Sequence, residues 1–253
     1  MKAIIFAAGL GTRLKPLTNA IPKALVPLNG KPMLEHIIVK LKEAGCHDIV
    51  INIHHLGQLI IDFLKANDNF GLTIHISDER KYLLDTGGGL KQASKFLDGK
   101  SPFIAHNVDI LSDVDLRAFY SAHKPDAMAT LLTSKRETTR RLLFDKKNNL
   151  RGWQDKKTGE VKSYYRDFDP SLYIEHAFGG IHIISPNIFN EMDDWTGKFS
   201  IIDFYLSACG KNKINPWPAP EVTIFDIGSP ESLSQAERWL SAKNANNDKS
   251  REE

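Results

Sequence analysis

The stretch from Ala7 to Leu28, AAGLGTRLKPLTNAIPKALVPL, gathers residue types suited to binding a polyphosphate. Gly9 and Gly11 permit a tight turn and a close approach of backbone N–H groups to an anion. Arg13 presents a planar fork of donors to phosphate oxygens, while Lys15 and Lys23 add compact positive charge nearby. Two common phosphate-binding patterns fail here on particular residues. A P-loop requires G-x-x-x-x-G-K-[ST], and no second glycine in this stretch is followed by Lys and Ser or Thr. A dinucleotide fingerprint requires a third glycine where Leu14 stands, and Pro16 blocks the helix that should begin there, which counts against a nicotinamide-dependent oxidoreductase. His54, His55 and His106 do not read as a transition-metal cluster, because adjacent His54 and His55 point apart in extended chain.

Such a loop needs a strand to deliver it. The apolar run 3–7 predicts a buried strand ending in the glycine turn. Pro32 opens a helix with Leu34, Ile37, Ile38 and Leu41 on one face, and Gly45 stops it. Strands over 48–53, 72–77 and 103–106 alternate with helices over 56–65 and 89–96. This repeated βαβ pattern predicts an α/β fold, a mostly parallel sheet with helices on both faces. A helix over 116–123 follows. Short extended segments at 127–132, 142–145, 150–154 and 175–184, separated by turns at Asn148-Asn149 and Thr158-Gly159, predict an antiparallel excursion beside that sheet. Helices over 201–209 and 230–243 and a strand over 221–225 complete the pattern. Residues 244–253 are polar and expected to fray.

The 253 residues, 42% hydrophobic and 25% charged, are ordinary soluble composition, which excludes collagen-like, coiled-coil and globally disordered chains. A net charge of +2 gives no chain-wide basic field, so no nucleic-acid partner is expected. Charge is nevertheless uneven: residues 135–166 hold eleven Lys or Arg against four acids, either a solvated antiparallel rim or an edge facing an anion. Cys46 and Cys209 are too few for a disulfide framework and fit a reducing cytoplasm. No apolar run approaches the roughly 18 residues needed to span a bilayer. Arg13 and Lys15 follow the apolar start too soon for an export signal, so neither membrane nor secretion is expected.

The loop closely resembles the signature of the sugar nucleotidyltransferases, or NDP-sugar pyrophosphorylases, G-x-G-T-R-L-x-P-L-T-x-x-x-P-K-x-L-x-P-L, matched at every fixed position from Gly9 to Leu28. The resemblance continues through Gly30-Lys31-Pro32-Met33, Thr86-Gly87-Gly88-Gly89, Asn107-Val108-Asp109 and Phe225-Asp226-Ile227-Gly228. It implies the Rossmann-like nucleotide-diphospho-sugar transferase fold, with a sugar-binding antiparallel excursion. On that likeness we expect one domain over 1–243, with 1–125 as the nucleotide-binding half and 126–243 as the sugar-binding half. The partners implied are a nucleoside triphosphate and a sugar 1-phosphate, whose oxygen attacks the α-phosphorus and expels pyrophosphate. The short chain is most similar to N-acetylmuramate 1-phosphate uridylyltransferases of cell-wall recycling, which makes UTP the expected nucleotide. Mannose 1-phosphate guanylyltransferases, glucose and heptose versions, and a catalytically silent nucleotide-sugar-binding regulator are the alternatives.

Residue roles carry over by the same resemblance. Arg13 and the amides near Gly11 and Thr12 correspond to the clamp on the β- and γ-phosphates, and Lys23 to the lysine drawing the two substrates' phosphates together. Ala7, Ala8, Gly9, Gly87 and Gly88 correspond to the walls receiving the nucleobase, and Asn107, Gly179 and Gly180 to sugar-facing positions. Asp109 and Asp226 resemble the family's Mg²⁺ pair, as befits a hard cation that uses few protein ligands. A turn or cap role for Asp109, and a helix-start role for Asp226, are the plain structural alternatives. Two positions depart from the pattern. Val108 replaces the glycine of the usual Asn-Gly-Asp, and Arg151-Gly152-Trp153-Gln154 stands where many relatives carry a sugar-binding Glu-Lys-Pro element.

Overall fold

The computed structural model of the chain describes the backbone of residues 1–252 and the side chains of residues 1–245. The apolar run at the start forms β1 (Lys2–Phe6), with Ala3, Ile4 and Ile5 fully buried, as a strand covered on both faces must be. A small hairpin, β2 (Pro27–Leu28) with β3 (Lys31–Pro32), leads into α1 (Met33–Ala44), which Gly45 terminates at φ +98°. Then follow β4 (Asp48–Ile53), α2 (Gly57–Ala66), β5 (Thr73–Asp78), α3 (Asp85–Gln92), α4 (Ser94–Leu97) and β6 (Phe103–Asn107). β1 pairs in parallel with both β4 and β6, and β4 with β5, giving the parallel order β5-β4-β1-β6. Alternation along β1 sends Ala3 and Ile5 to a core shared with α1 and α2, and Ile4 and Phe6 to a second core on the opposite face.

The second half comprises β7 (Ile110–Ser112), α5 (Leu116–Ser121), β8 (Ala127–Ser134), β9 (Arg140–Phe144), β10 (Leu150–Asp155), β11 (Glu160–Ser163), β12 (Ile174–Ile184), α6 (Ile201–Ala208), β13 (Lys213–Pro218), β14 (Ile224–Asp226) and α7 (Pro230–Glu252). The expected antiparallel excursion is present and is continuous with the parallel sheet. β12 runs antiparallel to β6 through its C-terminal half, where Ile181 faces His106, and to β9 through its N-terminal half, where Ile174 faces Phe144. β10 and β11 extend this edge, while β8 pairs β12 and β13 pairs β8.

Several elements differ from expectation. β13 carries Pro216 and Pro218, which argue against a strand in sequence; it is tolerated because β13 pairs only with β8, at an edge. β7 is too short to announce itself and pairs β14 in a separate two-stranded sheet that sets Asp226 opposite Ile110. Helix α3 begins at Asp85, so Gly87, Gly88 and Gly89 lie inside it rather than in a turn before it. α7 runs on past Lys243, where fraying was expected; of that tail, the side chains from residue 246 lie outside the described residues.

Candidate active site

The loop leaving β1 is tied down by a buried relay. The N–H groups of Ala7 and Ala8 donate to Asn52 Oδ1 at 2.6 and 3.2 Å, and Asn52 Nδ2 donates to Glu79 Oε1 at 2.7 Å. Glu79 Oε2 accepts from the Leu84 N–H at 3.1 Å. Burial pushes the Glu79 carboxyl up, while the hydrogen bonds from Leu84 and Asn52 favour its charged form. Beyond Ala8 the backbone is unspent: among the described residues, the N–H groups of Gly9 to Arg13 find no acceptor in the protein. Gly11 sits at φ +64°, its carbonyl accepting from Leu14 N and Thr18 Oγ1, and a Cβ there would lie 2.8 Å from Thr18 Cγ2 and 3.0 Å from Lys23 Cβ. Only glycine fits that turn.

These amides open onto a cavity of about 400 Å³ lined also by Arg13, Lys23, Asn107 and Asp109. Lys23 is buried, and its Nζ donates to Asp109 Oδ2 at 2.5 Å. Arg13 lies on the backbone of Gly228, where a Cβ would come within 2.7 to 2.9 Å of three guanidinium atoms. The Ile227 N–H donates to the Asp109 carbonyl at 2.8 Å, so the chain after β14 sits directly beside the chain after β6. Asp109 and Asp226, far apart in sequence, are thereby adjacent. Asp226 lines a second cavity, of about 650 Å³, with Arg136 Nη2 3.8 Å from its Oδ2. Asp85, at φ +61°, lines both cavities.

Among the described residues no third His, Cys, Asp or Glu joins these two carboxylates in a metal-binding group. Lys23 engages Asp109 Oδ2 and leaves Oδ1 without a side-chain partner. Asp109 on the first cavity and Asp226 on the second, carried by adjoining backbone, are the carboxylates that suit a hard cation, which uses few protein ligands and completes its shell with substrate oxygens and water.

The structure therefore brings together Gly9, Gly11, Thr12, Arg13, Lys23, Asn107 and Asp109 around the first cavity and places Asp226 on the second. It separates others. Lys15 is exposed and lines neither cavity. Ala8 lines the first cavity, but the N–H groups of Ala7 and Ala8 are committed to Asn52. Gly87 and Gly88 lie behind the wall: both N–H groups donate to the Phe199 carbonyl, and a Cβ would come within 2.4 Å of the Phe199 ring at Gly87 and of the Gly197 carbonyl at Gly88. Thr86 and Asp85 form the wall in their place. Gly179 packs on Leu132; Gly180, at φ +71°, lies against Ile110 and Asn107 Nδ2 where the pairing of β12 with β8 shifts register. Neither glycine lines a cavity, although Asn107 does.

Asn52 and Glu79 carry no motif in the sequence, and Gly228 stands there only as the end of the Phe225-Asp226-Ile227-Gly228 stretch. Asn52 was visible only as a polar residue closing an apolar strand, and Glu79 only as an acid in a charged loop. Val108 is buried, lines the first cavity and donates its N–H to the Phe6 carbonyl at 3.2 Å. Trp153, from the segment replacing Glu-Lys-Pro, lines the second cavity.

Residues 2–142 match the family described as nucleotidyl transferase. Over 94% of its length the chain is 32% identical to an N-acetylmuramate alpha-1-phosphate uridylyltransferase of Caulobacter vibrioides, of which 96% is covered. It is 29% identical over 76% of its length to mannose-1-phosphate guanylyltransferase 1 of Arabidopsis thaliana, of which 52% is covered. Among solved structures, UDP-glucose pyrophosphorylase complexed with UDP-glucose aligns at a TM-score of 0.76 and 18% identity, covering 96% of this chain and 98% of that one. That likeness shows the fold, which is the nucleotide-diphospho-sugar transferase fold expected from the sequence.

Proposed function

Because the chain belongs to the nucleotidyl transferase family, as a sugar-1-phosphate nucleotidyltransferase, we propose that its two cavities bring UTP and N-acetylmuramate 1-phosphate together to form a UDP-sugar and pyrophosphate. The observation that carries this reading is one corner of the molecule: Lys23 on Asp109, Arg13 on Gly228 and the unspent amides of residues 9 to 13, with a second cavity opening beside them. A sugar phosphate with a second pKa of about 6, as for phosphorylated side chains, is already ionised near neutral pH, so no general base is required. The protein's task is to hold two anions in line and to neutralise charge on the leaving group.

Each residue then has a part. Arg13 and the amides of Gly11 and Thr12 clamp the β- and γ-phosphates and stabilise departing pyrophosphate. Lys23 draws the α-phosphate toward the sugar phosphate. Asp109 and Asp226 hold Mg²⁺, which when bound neutralises phosphate charge. Ala7, Ala8 and Gly9 border the nucleobase, with Gly87 and Gly88 acting from behind by letting α3 press Thr86 and Asp85 into the wall. Asn107 faces the sugar, and Gly179 and Gly180 let β12 pass close to it. We divide the single domain near residue 125 into nucleotide-binding and sugar-binding halves, with Lys198, Asp226 and Gly228 crossing from the second to the first.

Support for uridylyl transfer to N-acetylmuramate 1-phosphate comes from the relative that matches along nearly all of both chains, whereas the guanylyltransferase match spans about half of that relative. We place the reaction in cell-wall recycling in the cytoplasm, where UTP is supplied and where two free, buried cysteines are stable. No helix among the described residues is long and apolar enough to cross a membrane. The test is pyrophosphate release with Mg²⁺, UTP or GTP, and a panel of sugar 1-phosphates. Release with UTP and N-acetylmuramate 1-phosphate is expected. Release confined to GTP and mannose 1-phosphate transfers the assignment to the guanylyltransferases, and none with any pair favours a silent binder.

A further inference from the structure

The basic stretch 135–166 takes no part in the reaction described above, yet four of its cations line the second cavity: Arg136, Arg140, Arg141 and Lys162. Their partners distinguish them. Arg140 has Asp155 at 3.8 Å, and Lys162 has Asp203 at 3.0 Å and Glu160 at 3.7 Å. Asp85 is turned onto its own neighbour, accepting from the Thr86 N–H at 2.6 Å. Arg136 donates from Nη2 to the Phe178 carbonyl at 3.1 Å and stands 3.8 Å from Asp226. Arg141 has no carboxylate within 4.0 Å among the described residues; its Nη1 donates to the Arg136 carbonyl at 2.9 Å. The Nε atoms of Arg136 and Arg141 are both buried without an acceptor.

Two half-buried arginines, linked by the bond from Arg141 to the Arg136 carbonyl, therefore line the cavity, each with a buried Nε that has no acceptor among the described residues. Nη2 of Arg141 has no protein acceptor among the described residues and is the donor left for an anion, for which a guanidinium suits a carboxylate. Trp153, half-buried on β10 and opposite Leu142 of β9, lines the same cavity with Lys162 Nζ 5.4 Å from the centre of its ring, and supplies the aromatic surface there. Lys23 and the Asp109–Asp226 corner already account for the phosphate of a sugar 1-phosphate. What remains unmatched is a second anionic group on the same molecule.

We propose that the sugar accepted in this cavity carries a carboxylate, held by Arg141 with Arg136 beside it, while the ring lies on Trp153. This rests on the reading of the second cavity as the sugar site and names the chemical class it selects. An acidic sugar such as N-acetylmuramate fits; a neutral hexose leaves the Arg141 guanidinium without a carboxylate partner.

The test compares, with UTP and Mg²⁺, N-acetylmuramate 1-phosphate, its carboxamide and N-acetylglucosamine 1-phosphate. On the native protein, kcat/KM for the carboxamide and for N-acetylglucosamine 1-phosphate is expected to be lower by about tenfold or more, chiefly through KM, because a site built to bond a group rejects the analogue lacking it. In Arg141→Gln the preference for acid over carboxamide should fall to within about threefold, and Arg141→Lys should restore part of it. Equal efficiency of acid and carboxamide on the native protein overturns the proposal, and this comparison decides even if the variant fails to fold. An Arg141→Gln loss that is the same for both also overturns it, since the arginine then serves the phosphate or the packing. Turnover of neutral sugars alone overturns the carboxylate and leaves nucleotidyl transfer standing; no turnover of any pair overturns both.

Discussion

In the function proposed for this site, the contact between Lys23 and Asp109 serves both positioning and chemistry. The ammonium is buried and held on Asp109 Oδ2, so Asp109 fixes the lysine at the first cavity while its other oxygen has no side-chain partner among the described residues. Removing the charge from Asp109 removes both functions without removing volume. Asp109→Asn is therefore expected to lower kcat by about two orders of magnitude or more while circular dichroism stays unchanged. Turnover within a few-fold of the native protein would take Asp109 out of the mechanism. Asn52 works one step further back, since it contacts the amides of Ala7 and Ala8 and leaves those of the next five residues free.

At the level of elements, the site is made by strand ends. β1 delivers the glycine loop, β6 delivers Asn107 and Asp109, and β14 delivers Asp226 and the Gly228 bed of Arg13. The junction is held by the Ile227 N–H on the Asp109 carbonyl and by the pairing of β14 with β7. Gly228 matters because a side chain there would displace the guanidinium. Gly228→Ala is expected to lower the rate of the chemical step by about tenfold or more while the thermal midpoint moves by only a few degrees. An unchanged rate would show that Arg13 needs no such bed. The basic rim is also resolved at this scale, because the folding of β9 to β11 against β12 brings Arg136, Arg140, Arg141 and Lys162 to the cavity and leaves Lys146, Lys147 and Arg166 away from it.

For the molecule as a whole, the seam between the parallel and antiparallel halves carries two fully buried histidines, His106 on β6 and His182 on β12. Burial holds each at about 3, helped by the charge of Lys40 at His106 and by His106 at His182. In the unfolded chain each titrates near 6.5. Between those values the unfolded state binds protons that the folded state does not, so stability falls as pH falls below about 6.5, by about 1.4 kcal/mol per pH unit for each histidine. Denaturant titrations at pH 7, 6 and 5 should show this slope, and His182→Gln should reduce it by one histidine's share. A slope identical in the variant would remove His182 as its source. The sequence by itself determined the alternation of strands and helices, the phosphate loop with Arg13 and Lys23, and the family, because these depend on local periodicity and on residues fixed within one short stretch. Only the tertiary structure decided that the Ile227 N–H meets the Asp109 carbonyl, that Gly228 supports Arg13, that Gly87 and Gly88 stand behind the wall and that Arg136 and Arg141 border a cavity. Those relations join residues from remote strands through pairing and packing, and no local pattern in one chain encodes which strand ends will meet.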